Sequence, residues 1–326
     1  MKKTNKKRSA LFALLTILCL CALTGCGMAK SVTDAVLKAG AEDADRQDID
    51  AVEPGSGGDI AGAATKESED AAEADGEDGS GQEAGGEKTT TMSDLIGSSD
   101  ESTLPDTILW FNATYAPLTY SNSGDWKLVA GLEPSGINKE LEQYLMERDW
   151  DIQDRDSALE TIEWLKEEGH RESFRECGRE LAAMGILDYE EEAFLEALTE
   201  SGIEEDLFRY VMVYYLYQEG LDEDAIAAWD LCRVNQLYAD FYICGYMTYE
   251  EAMDASLENS RVLQQMYSSW DELMDSYMLG YQFWQSDPCL TEDSPTMQRY
   301  GYYEILCEMD NGPYTLDWNM ELEKSW

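Results

Sequence analysis

The sequence predicts an all-α fold, a single irregular helical bundle behind a disordered N-terminal linker, and three observations carry the prediction. Apolar residues of the C-terminal two thirds recur at three- and four-residue steps instead of alternating. Capping residues stand before several of those runs. All nine Trp and all nineteen Tyr fall between residues 110 and 326, which leaves the first third of the chain without the side chains that build a core. The organisation that follows is a leader over 1–25, a linker over 26–106 and one helical domain over 107–326.

Lys2, Lys3, Lys6, Lys7 and Arg8 precede an apolar run from Ala10 to Leu23. That run is shorter than the roughly 20 residues a membrane-crossing helix needs, so it reads as an export signal rather than as an anchor helix. It ends in Leu23-Thr24-Gly25-Cys26, which resembles the lipobox of bacterial lipoproteins. The resemblance implies cleavage before Cys26 and a diacylglyceryl group on its thiol. Cys19 and Cys21 then leave with the signal. Two acyl chains at about 0.8 kcal/mol per buried methylene anchor a protein stably. The expected location is extracytoplasmic, with the membrane as a partner through lipid on Cys26.

From Gly27 to Asp106 there is no aromatic residue, and Gly, Ala, Ser, Asp and Glu dominate. Such a segment cannot bury enough apolar surface to offset its ordering entropy, and about 80 flexible residues span roughly 50 Å. "EADGEDGSGQEA" fails as a calcium loop, with Asp78 where Gly is needed and Ala84 where Glu is needed. The whole chain carries a formal charge of −45, and residues 107–326 hold 47 acidic against 13 basic residues. A field of that sign repels polyanions, which excludes nucleic acid as a partner and leaves either simple solubility or a cationic partner.

Within the domain, Asp156 and Ser157 precede "ALETIEWLKEEGH", where Ala158, Ile162 and Leu165 share a face and Gly169 can close the helix. Thr248 and Glu251 form a capping box. From Leu263 through Met266, Tyr267, Trp270, Met274, Tyr277 and Tyr281 to Trp284 the spacing predicts one long amphipathic helix, a stripe better read as core than as a cofactor box. "LFRYVMVYYLYQEG" and "EDAIAAWDLCRVNQLYADFY" are apolar at nearly every angle and predict helices inside the bundle.

The last of these segments, extended through "ICGYMTYEEAMD" and followed by "SSWDELMDSYMLGYQFW", resembles the bacterial domain-of-unknown-function 1266 family. Trp229, Asp230 and Arg233, then Gly245, Tyr246, Glu250 and Glu251, then Ser269, Trp270, Gly280 and Trp284 carry the likeness. Trp150 with "DIQDRDSALETIEWLKEEGHR" resembles the family's opening helix. Where the family often has Gly-Arg, this chain has Gly280-Tyr281. The resemblance implies a helical domain over about 107–326 with no agreed activity, and it marks Trp229, Asp230, Arg233 and Trp270 as a possible site.

Asp230 and Arg233 stand one turn apart on an otherwise apolar helix, which predicts a buried ion pair rather than an active-site carboxylate. His170, the single histidine, is expected to stabilise a helix C-terminus as a cation. One imidazole and no Cys-x-x-Cys give no metal site, and no motif assigns a catalytic residue or a cofactor. Cys177, Cys232, Cys244, Cys289 and Cys307 read as small core residues, with a bridge or two open in an oxidising location. The function expected is binding, with another protein as the partner. The rival is an envelope-glycan hydrolase or carbohydrate-binding protein, whose mark would be exposed aromatics beside paired carboxylates.

Overall fold

The computed structural model describes residues 104–326, apart from Glu204, Glu205, Leu290 and Glu292. The leader, Cys26 and nearly all of the linker lie outside the described residues. Eleven α-helices and no strand are found among the described residues. In chain order they are α1 (Asp106–Thr114), α2 (Ala116–Ser121), α3 (Gly136–Trp150), α4 (Arg155–Glu167), α5 (Gly169–Met184) and α6 (Glu191–Glu200), then α7 (Leu207–Gln218), α8 (Ala227–Cys244), α9 (Tyr249–Met266), α10 (Trp270–Gln285) and α11 (Pro295–Glu308). No helix of the described residues is long and apolar enough to cross a membrane.

Helix α8 is the axis of the bundle. Sixteen of its eighteen residues are buried, because α1, α3, α4, α5, α9 and α10 all pack against it. A polar chain fixes its register. Asn235 Nδ2 donates to Thr114 Oγ1 of α1 (3.2 Å) and Ser260 Oγ of α9 (3.0 Å), while Asn259 Nδ2 donates to Asn235 Oδ1 (2.9 Å) and to the Leu231 carbonyl (2.8 Å). Buried amides with all these partners hold one alignment of the helices, because a slip would orphan each of them. A second apolar cluster, built on Phe174, Phe194, Met212 and Tyr214, joins α5, α6 and α7 beside the main core.

The capping box of Thr248 and Glu251 opens α9 as the sequence predicts. Helix α4 starts earlier than expected, because Asp154 accepts from the Ser157 N–H and the Ser157 hydroxyl returns the bond. The long helix expected from Leu263 to Trp284 is two helices. Tyr267 is extended and Ser269 caps α10 by accepting from the Glu272 N–H, so the chain breaks while the apolar spacing runs on through the break. The break lets Trp270 turn into the core, where its ring lies 4.9 Å from Trp110 and 4.9 Å from Trp318 and its Nε1–H donates to the Leu316 carbonyl.

Candidate functional site

Trp229, Asp230 and Arg233 come together at the start of α8, and Trp270 sits apart from them in the tryptophan trio of the core. The carboxylate of Asp230 is fully buried and turned to the first turn of α5, not to Arg233. It accepts from the His170 N–H (3.1 Å), from His170 Nδ1 (2.8 Å), from the Arg171 N–H (3.4 Å) and from Arg171 Nε (3.1 Å). Those amides are among the orphan donors that every helix N-terminus presents, so an acid on one helix caps another. Arg171 also donates through Nη2 to the Leu165 and Lys166 carbonyls at the end of α4. One carboxylate thus ties α4, α5 and α8.

Gly169 makes the approach possible. Its φ is +56°, and a Cβ there would stand 2.2 Å from Asp230 Oδ2. His170 therefore sits at a helix N-terminus, and the expectation of a cation at a C-terminus is corrected. Burial and the charge of Arg233 push its imidazole below the usual value against the opposing pull of Asp230. Facing a carboxylate, which can only accept, the ring meets Asp230 through its Nδ1–H. No hydroxyl or thiol is bonded to it, so the pair lacks the nucleophile that an Asp–His relay would activate. The Arg233 guanidinium lies over Trp150 (4.0 Å), Trp229 (4.5 Å) and Trp284 (5.7 Å), an aromatic stack rather than an intrahelical ion pair. These residues read as a brace of the fold.

The concavity lies elsewhere. A cavity of about 370 Å³ opens between α2, the loop before α3, α3 and α8. Its walls are apolar at Leu118, Leu132, Leu141 and Leu145, and two acids line it, Glu142 of α3 and Asp240 of α8. Glu142 is 8 % exposed and its carboxyl has no hydrogen-bond partner among the described residues. Asp240 accepts from Gln236 Nε2 at 3.1 Å. Burial, and then the charge of Asp149, push Glu142 up to about 7, while burial and the charge of Glu142 push Asp240 well above the usual carboxylate range. Tyr115 is raised too, by burial and by Asp240, and its hydroxyl donates to Asn112 Oδ1 at 2.6 Å while accepting from the Ala130 N–H at 3.3 Å. At the mouth Leu141 is 49 % and Tyr144 58 % exposed.

Sequence reasoning missed both acids. Asp240 carried a signal, an acid on a helix apolar at every angle; Glu142 carried only its step of four to the buried Met146. The raised carboxyl gives a testable sign. Its usual value is 4.5, so between about 4.5 and about 7 the folded state holds more protons than the unfolded, and stability falls as pH rises through that window. Glu142→Gln is expected to melt several degrees above the parent near pH 8 and level with it near pH 4. Circular dichroism melts at both values check this, and equal melting near pH 8 would refute the burial of a costly charge.

Among the described residues Cys177, Cys232, Cys244 and Cys289 are buried and Cys307 is exposed, and these five form no disulfide. No group of three His, Cys, Asp or Glu able to hold a metal ion stands among the described residues. The profile of the family described as "Protein of unknown function (DUF1266)" matches residues 146–318, narrower than the expected 107–326, and takes in Asp240 while beginning after Glu142. Neither a curated protein nor a solved structure matches the chain. With just over half of the chain matched, and with α8 carrying Trp229, Asp230 and Arg233 and α10 carrying Trp270 and Gly280 into the bundle, the chain belongs to the DUF1266 family.

Proposed function

We propose that this protein is a lipoprotein anchored to the extracytoplasmic face of the cell membrane through Cys26, and that its helical domain binds a ligand in the cavity between α2, α3 and α8. The observation that carries the binding reading is Glu142, a residue only 8 % exposed whose carboxyl lines an apolar cavity and is met by no protein donor among the described residues. Burying such a group unpaired costs several kcal/mol, roughly 2 to 7 even for a neutral one, which is explicable where a ligand completes it. The glycan-hydrolase rival draws support from Tyr144 at the mouth beside two acids. Its mark would be several exposed aromatics beside the acids, whereas the cavity walls are leucine and Tyr144 is the one exposed aromatic in its lining, so binding is favoured over hydrolysis.

The anchor rests on Leu23-Thr24-Gly25-Cys26. Cys26→Ala is expected to abolish incorporation of a radiolabelled fatty acid and to release the protein from the membrane fraction. Labelling that persists in the variant would remove the anchor from the proposal. A protein that takes up no small probe, whether cationic, neutral or anionic, at millimolar concentration would remove the binding half.

A further inference from the structure

We infer that the cavity takes a small organic cation, an ammonium group on a short apolar body, with the charge at Glu142 and Asp240 and the body against Leu118, Leu141 and the Tyr144 ring. The inference rests on the binding reading and adds the chemistry of the ligand. Two buried carboxyls line one small space, one of them without a hydrogen-bond partner and the other with a single amide. A single positive head satisfies both. An anion would add to their repulsion, and a neutral group would leave at least one ionised acid without a counter-charge.

The remaining groups do not neutralise the pair. Arg148 lines the cavity, but its Nε and Nη2 are given to Asp149 and its guanidinium lies 5.8 Å from the centre of the Tyr144 ring. The other titratable groups linked electrostatically to the two acids are Asp149 of α3, Tyr115 at the end of α1 and Cys244 of α8, and none of them is a cation; Lys139 of α3 acts on the Cys244 thiol. No group of three or more His, Cys, Asp or Glu that could hold a metal ion stands among the described residues, and the walls beside the two carboxyls are leucine. An organic cation has the apolar body that these walls fit, and an exposed Tyr ring at the mouth adds a cation–π surface. The acidic excess of the domain steers cations toward it.

A bound ammonium favours the ionised acids, so binding must release protons and strengthen as pH rises through the range where Glu142 titrates, about 7. The test is calorimetric titration of the full lipidated chain in non-ionic detergent with n-butylammonium, n-butanol and n-butyrate, near pH 6 and near pH 8. We expect n-butylammonium to bind about tenfold more tightly at the higher pH, as the ionised fraction of one acid rises by that factor. The alcohol should bind at least about tenfold more weakly than the cation, and butyrate should give no heat. Glu142→Gln and Asp240→Asn should lose the binding while melting no lower than the parent. Leu141→Lys, at the exposed mouth where folding is not at risk, should weaken it several-fold. Binding of n-butanol or butyrate in place of n-butylammonium would overturn the cationic assignment and leave the cavity a binding site. Heat from none of the three would overturn both, and n-butylammonium binding unchanged in all three variants would overturn the site.

Discussion

Asp230→Ala is expected to cost about 3 to 5 kcal/mol, because the change strips the acceptor from two backbone amides, an imidazole and a guanidinium that are all buried or nearly so. In a domain of this size that is a fall in melting temperature on the order of 10 °C. The identity of the partner is tested by coupling. Asp230→Ala with Arg171→Met should be less damaging than the sum of the single changes, since the second removes a charge that the first left behind. Recovery should stay incomplete, because the His170 and Arg171 N–H groups still lack an acceptor. Asp230→Ala with Arg233→Met should be close to additive. Denaturant melts of the singles and both doubles decide it, and a larger coupling with Arg233 than with Arg171 would overturn the brace between α4, α5 and α8.

Gly280→Ala is the second large effect. On propensity alone the change should stabilise α10 by up to about 1 kcal/mol. Against that, a Cβ at Gly280 would stand 2.2 Å from Trp229 Cβ and 2.9 Å from the Ile226 carbonyl. Neither atom is the end of a flexible side chain, so α10 must move off α8 or the turn at 223–226 that leads into α8 must shift, at the roughly 1 to 3 kcal/mol typical of overpacking or more. The clash wins, and the melting temperature should fall by about 5 °C. Gly301→Ala is the control, since the same carbon on α11 would meet nothing within 4 Å. It should be neutral or stabilising. Equal melting of the two alanine variants would mean that α8 and α10 do not cross as closely as Gly280 implies.

The helices were legible wherever local pattern and tertiary packing agree. The capping box at Thr248 and the apolar-all-round segment that becomes α8 are of this kind. The break at Tyr267 was not, because the apolar spacing continues through it and Ser269 looks like any polar residue until its hydroxyl is seen to cap. Asp230 drew notice as an acid on an apolar helix, yet its partners come from 60 residues away, and sequence spacing offered only the nearer Arg233. Glu142 was hidden for a different reason. In a domain with 47 acids, nothing local separates the one whose carboxyl faces a cavity from those that face water.

The tryptophan trio ties opposite ends of the domain together. Trp110 in α1 packs 5.1 Å from Trp318, and the Thr107 hydroxyl accepts from the Glu323 N–H across a separation of 216 residues. Closing so long a loop is an entropic toll met before any contact repays it, so this part of the core belongs to the slow, late stage of folding. The cluster of α5, α6 and α7 draws most of its partners from nearby sequence and can gather first. A chain emerging N-terminus first can lay α1 on α8, α9 and Trp270 early, but the Trp318 side of Trp110 stays open until the C-terminal segment has followed, so the last seal of the core is also the last stretch of chain to arrive.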